Sequence, residues 1–341
     1  MISVVLGFLL ALLSAVAFGL YVLPRRESRL SPQAYLLYMA LGFLAPSVLL
    51  LFALHTVGGE SLPVGVNLRD VAVSGLIWAL ANLAYILAID AAGVARATAV
   101  KNLTGLFGTL AGIVLLGELI HAASIAMTLV GSAAVAFSAV LLGRLQAPAV
   151  TDGDPGSLLR VGSELGSTPG AAAEQRDVPA PVSAAIPGGS ARILGMFLAL
   201  LAAIGLGVYL VPGLSAMGHG VTTEMYVASF AFVAGVASLV IAAVWARIAG
   251  TSLRARPREI GLASLAGVLW IAGSAAVTPA TELAGLAIAW PVSQLGFFLT
   301  LAYAVVRLRE VDWVRGRRSV WAASVLTLIG LVLLGVARRG G

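Results

Sequence analysis

A stretch of 44 residues occurs twice in this chain, and its layout restricts the fold more than any other feature. Gly75–Glu118 returns in degenerate form as Gly267–Glu310 without a gap. Trp78 pairs with Trp270, Asp90 with Glu282, Gly93 with Gly285, Asn102 with Gln294 and Glu118 with Glu310, each 192 residues apart. Each copy holds two apolar segments of about 20 residues joined at an acid–glycine turn, long enough to cross a bilayer twice. With 60% hydrophobic and 11% charged residues and a mean hydropathy of +1.02, the chain has too little polar surface for a water-soluble globule. It reads as an all-α integral membrane protein.

Ten apolar segments are expected. Ile2–Pro24, Tyr35–Leu54, the two segments of the first copy, and Ala122–Leu142 precede a long polar stretch. Ile193–Val211, Met225–Ile248, Ile260–Thr281, Leu286–Leu308 and Val320–Val336 follow it. The first has no basic leader, so it is expected to stay as a membrane helix rather than be cleaved as a signal peptide. Residues 144–190 are rich in Pro, Gly, Ser and Ala without periodicity, which predicts a flexible cytoplasmic linker. The expected domains are residues 1–143, a first five-helix repeat; 144–190, the linker; and 191–341, a second repeat.

The correspondence extends outside the duplicated stretch. Gly19-x-Tyr21-x-x-Pro24 matches Gly207-x-Tyr209-x-x-Pro212, and Tyr38 matches Tyr226, at an offset of 188; Thr128–Gly131 matches Thr327–Gly330 at 199. Arginines such as Arg25 and Arg29, or Arg254, Arg256 and Arg258, fall in alternate loops. The positive-inside rule then places both termini outside. Because five is odd, the second repeat enters the membrane inverted, so the expected architecture is ten transmembrane helices as two inverted five-helix repeats. Secondary transporters use this arrangement, with the site near the midplane between repeats.

Several chemistries are excluded. There is no Cys, and His55, His121 and His219 are scattered, so neither a thiol nucleophile nor a metal site is expected. No nucleophile–base pair or H-E-x-x-H motif is present, so the chain is read as no enzyme and as needing no cofactor. The net charge of +6 comes from arginines flanking apolar segments and calls for no nucleic-acid partner.

The candidate site residues lie in the repeats. Lys101 is the only lysine and sits about 10 Å into the fourth segment at 1.5 Å per residue. It either meets a polar or anionic substrate group inside the membrane or snorkels toward the helix N-terminus. Asn102 and Gln294 are amides at matched positions, suited to a hydroxyl-bearing solute or to interhelical hydrogen bonds. Thr98, Asn102, Gly105, Thr109 and Gly112 share one face. Trp78 and Trp270, with Asn82 and Ser274 one turn on, offer stacking walls or simple packing. Tyr21 and Tyr209 are gate residues or interface anchors. Asp90, Glu282, Glu118 and Glu310 fall at helix ends, as caps or partners of arginines, and Arg96 as an interfacial anchor. Pro291 is expected to bend the ninth helix; its counterpart is Ala99, which makes the bend asymmetric.

The series Trp78…Asn82…Ala88…Gly93-Val-Ala-Arg-Ala97…Asn102…Gly112…Gly117-Glu118, with its echo Trp270…Gly285-Leu-Ala-Ile-Ala289…Pro291…Gln294…Glu310, resembles the ten-helix branch of the drug/metabolite transporter superfamily. Within it the chain looks most like the glucose/ribose porter group of bacterial sugar permeases. The resemblance covers nearly everything outside the linker, which is longer than that family would lead one to expect. It implies alternating access around a central cavity lined mainly by helices 1, 3, 4, 6, 8 and 9, in a bacterial cytoplasmic membrane.

Helix 1 lacks the membrane-embedded carboxylate expected of a proton-coupled exporter of organic cations, and the midplane lacks the hard oxygen ligands of a divalent-cation carrier. A small neutral or anionic solute, a sugar or related metabolite, is therefore expected, with the bilayer as partner and a proton or sodium ion as possible coupling ion. The alternatives are a transporter of another metabolite or ion, or a non-transporting scaffold that acts through the linker.

Overall fold

The computed structural model describes residues 2–118, 121–143, 189–306 and 313–339, all helix, turn or loop without a strand. The expected linker lies almost wholly outside the described residues, as does Glu310. Among those described, nine helices are long and apolar enough to cross a membrane, and Leu286–Thr300 is a shorter tenth. Leu9, Leu13, Leu49, Phe52, Val114 and Leu328 project outward and exposed. Such a surface suits lipid, where each backbone polar group is satisfied inside its own helix. The chain is an integral membrane protein.

In order, the helices are α1 (Ile2–Leu20), α2 (Leu23–Glu27), α3 (Pro32–Thr56), α4 (Gly65–Ala92), α5 (Val94–Lys101), α6 (Thr104–Leu115) and α7 (Ala122–Gly143). After the linker come α8 (Gly189–Val208), α9 (Leu210–Gly218), α10 (Thr223–Ala249), α11 (Pro257–Ala284), α12 (Leu286–Ser293), α13 (Phe297–Val306) and α14 (Trp313–Arg339), with a 3-10 turn at Gln294–Gly296. The Gly-x-Tyr-x-x-Pro motif marks an interruption in each half, at Tyr21–Val22 and at Tyr209. The sixth segment continues past Pro212 instead of stopping at Val211, because Pro212 falls in the first turn of α9, where a missing N–H leaves no bond unmade.

Gly93 and Gly285 occupy the same place in the two copies. Each ends one helix and starts the next with φ of 84°, a left-handed value that favours glycine.

The halves interlock. The main contacts of α1 are with α11 and those of α8 with α4, while α3 lies on α10 and α7 on α14. Small residues permit these approaches. Where α3 also packs on α11, a Cβ at Gly42 would strike the Ser264 carbonyl, and one at Gly267 the Met39 carbonyl. Gly131 and Gly330, paired by the repeat, face each other, with carbonyls 2.9 and 2.7 Å from where the opposing Cβ would lie.

Charged groups at helix ends tie elements together. Arg25 donates to both Asp90 carboxylate oxygens at 2.7 and 2.6 Å and to the Leu30 carbonyl, with its guanidinium 5.0 Å from the centre of the Tyr35 ring. Thr223 Oγ1 donates to Glu282. Glu118, at the end of the fourth segment, accepts the Leu286 and Ala287 amide N–H groups at 2.8 and 2.9 Å and so caps α12 in the other half. Glycine at 112 and 285 leaves room for its carboxylate, which would otherwise lie 2.9–3.0 Å from a Cβ at either position. Replacing Glu118 by Ala is expected to cost about 0.5–2 kcal/mol, seen as a lower melting temperature in detergent. Unchanged melting would show that the cap contributes nothing.

Candidate substrate site

Both repeats carry a tightened turn at the same place. In the first, α5 ends at Lys101, Asn102 caps it, and α6 begins at Thr104; Leu103 N donates to Val100 O and Gly105 N to Asn102 O, bonds of the i→i+3 kind. In the second, the 3-10 turn Gln294–Gly296 separates α12 from α13. Asn102 and Gln294 are the repeat-matched pair. Short 3-10 stretches inside a helix mark functional hinges or strain. α12 runs through Pro291 to Ser293, and the Ala287 carbonyl, four residues before the proline that lacks an N–H for it, accepts from Thr109 Oγ1 at 3.0 Å. The interruption falls just beyond Pro291, mirrored at Asn102–Leu103, and Pro291 packs on Gly105, its Cα 3.2 Å from where a Cβ would stand.

The two turns face each other. Lys101 Nζ donates to Gln294 Oε1 at 2.8 Å, and Asn102 Nδ2 makes a long contact of 3.5 Å with the Gln294 carbonyl. Gln294 Nε2 donates to Ser293 Oγ at 3.0 Å, which in turn donates to the Trp290 carbonyl. Tyr85 OH and Thr98 Oγ1 are 2.7 Å apart, and the Tyr85 ring centre lies 5.9 Å from Lys101 Nζ. Lys101 is 8% exposed, so it is held inside the protein rather than snorkelling to an interface. These groups line one pocket with Phe18, Val22 and Phe297 as apolar walls; its cavity volume of about 10 Å³ leaves room for roughly one water molecule, far below the 300–1,000 Å³ usual for ligand sites.

The structure brings Lys101, Asn102 and Gln294 together and puts the other candidates elsewhere. Trp78 and Trp270 meet each other, ring centres 4.5 Å apart, in a buried aromatic cluster with Phe43 and Phe230. Tyr209 packs its ring on Trp270, Phe230 and Trp290. Ser274 is buried one turn from Trp270, and the amide of Asn82 finds only the Met39 sulfur at 3.6 Å. Tyr21 is buried with its edge toward Phe18. Phe18 links the two regions, touching Trp270 at 5.6 Å while lining the pocket. Two indole N–H groups, of Trp78 and Trp290, are buried without a hydrogen-bond partner.

The small polar face of the fourth segment divides between two tasks. Thr98 and Asn102 line the pocket, whereas Gly105, Thr109 and Gly112 fit α6 against α12, with Thr109 Oγ1 3.0 Å from the Ala287 carbonyl. Sequence reasoning missed Phe18, Tyr85 and Thr300. Phe18 could have been found three residues before Tyr21, and Tyr85 three residues after Asn82, each on the same helical face.

Comparison with known proteins bears on the first half. Residues 3–145 match the family of sugar transport proteins. Two Listeria proteins provisionally named for sugar uptake, one from L. monocytogenes and one from L. innocua, are each 33% identical over 89 residues. The matched stretch is 26% of this chain and spans only 31% of each relative. A crystal structure 18% identical in sequence aligns over 98% of both chains with a TM-score of 0.60, which shows a shared fold.

Proposed function

We propose that the protein is a secondary transporter carrying a sugar or related small polar metabolite across the membrane. The observation that carries this reading is the pair of helix interruptions at repeat-matched positions, whose polar side chains Lys101, Asn102 and Gln294 meet in one pocket. Interrupted helices at a repeat interface are where transporters build their sites. The match of residues 3–145 to sugar transport proteins supports the solute class. In this reading the chain is a ten-helix member of the drug/metabolite superfamily and no enzyme. Residues 1–143 and 191–341 are inverted repeats, both termini lie outside a bacterial cytoplasmic membrane, and the solute moves by alternating access, with a proton or sodium gradient as possible drive. The narrow pocket belongs to a closed state that widens to admit the solute. The aromatic cluster of Trp78, Trp270 and Tyr209, with Tyr21, Asn82 and Ser274, joins the cavity through Phe18 in an open state.

The test is uptake by the purified full chain in proteoliposomes, across a panel of labelled neutral and acidic sugars and amino acids, with and without imposed proton and sodium gradients. Saturable sugar uptake above protein-free vesicles is expected. Uptake of none of the panel would sink the reading.

A further inference from the structure

Lys101 is a buried cation without a carboxylate partner. Among the described residues no Asp or Glu oxygen lies within 4.0 Å of Nζ, and neither ion pair found there, Arg25–Asp90 or Arg69–Asp70, includes it. The acids described at the helix ends of the two copies are engaged elsewhere: Asp90 holds Arg25, Glu118 caps α12 and Glu282 accepts from Thr223. What Lys101 has is one neutral acceptor, Gln294 Oε1, and the Tyr85 ring. The carbonyls at the end of α5 add partial negative charge.

A charge held inside the membrane is costly unless it is paired or hydrogen-bonded, and an ammonium has three donors. One of these is used by Gln294, which leaves two. Asn102 Nδ2 has only its long 3.5 Å contact, so it too is a donor with capacity to spare. Both line the same pocket, which carries a positive charge and no carboxylate among its lining residues. A neutral sugar would supply hydroxyls but leave the charge uncompensated; an oxyanion would accept from both Lys101 and Asn102 while its hydroxyls reach Gln294 and Ser293.

Building on the transporter reading, we infer that the solute is an acidic sugar, bearing a carboxylate or phosphate, with Lys101 and Asn102 as its anion-binding groups.

Uptake of labelled glucuronate, glucose 6-phosphate and glucose by proteoliposomes, together with mutual competition, tests this and separates carboxylate from phosphate. At least one acidic sugar is expected to be preferred over glucose by about tenfold or more, the scale of a charge-assisted hydrogen bond. Lys101→Gln is expected to erase that preference, and Lys101→Arg to keep part of it. Preference for glucose over both acids in the wild-type protein overturns the inference while leaving the transporter reading in place. That comparison needs no variant to fold. An acid preference that survives Lys101→Gln removes Lys101 from the site and equally overturns it. Uptake of none of the three, where other sugars of the panel are carried, refutes the acidic-sugar inference alone.

Discussion

Gln294→Leu is expected to lower solute uptake by at least about tenfold and to destabilise the protein by about 1–3 kcal/mol, the cost of leaving a buried polar partner unsatisfied. Among the described residues Gln294 provides the only side-chain acceptor for Lys101 Nζ, at 2.8 Å, and its own amide N–H reaches Ser293. Leucine has nearly the same volume and none of that capacity, so the ammonium would lose its partner inside the pocket. Asn102→Leu removes a weaker contact, at 3.5 Å, and should lower uptake with a smaller loss of stability. Initial uptake rates in proteoliposomes, with melting curves of the same preparations in detergent, separate the two effects. If both leucine variants transport like wild type, the paired turns are a packing feature and the site lies elsewhere.

Gly296→Ala is expected to cost about 3 kcal/mol or more, above the usual 1–3 kcal/mol of an overpacked core, because the atoms in the way are backbone. A Cβ at 296 would overlap the Ala15 carbonyl and lie 2.6 Å from Gly19 N, and a Cβ at Gly19 would overlap the Gly296 carbonyl. The 3-10 turn and α1 therefore touch main chain to main chain, with Thr300 Oγ1 donating to the Gly19 carbonyl at 2.9 Å beside them. Moving a side-chain tip cannot relieve such a contact; α1 itself would have to shift. A melting temperature lowered by several degrees, with loss of the monodisperse peak in size-exclusion chromatography, is the expected result. Gly261→Ala, where no atom lies within 4 Å of the added Cβ, is the control. Equal melting of the two variants would refute the close approach of α1 to the turn.

Much of the architecture was legible because lipid imposes a coarse rule. A chain crossing the membrane must satisfy its backbone within each helix, so apolar length alone located nine long spans and a shorter tenth. Duplication located the pocket's principal polar groups, since an offset of 192 residues pairs Asn102 with Gln294. It also located Gly93 and Gly285, which share one left-handed backbone conformation, and the helix-end carboxylates.

The folded structure decided which groups meet, because that depends on how helices cross rather than on local pattern. The two tightened turns sit within sequence that reads as continuous helix, and only the fold shows that the 3-10 turn lies against α1, main chain to main chain at Gly296 and Gly19. Trp78 and Trp270 were visible as partners in the repeat, but only the crossing of α4 and α11 set their rings 4.5 Å apart. Glu118 was visible as a helix-end acid, a cap or a partner of arginines; that it caps α12 in the opposite half follows from the approach of Gly112 to Ala287. Lys101 could have reached the interface on its flexible stem, and sequence left that open. Burial beside Gln294, Tyr85 and Thr98 decided it, because side chains from α4 and from the 3-10 turn enclose the ammonium, and neither is adjacent to it in the chain.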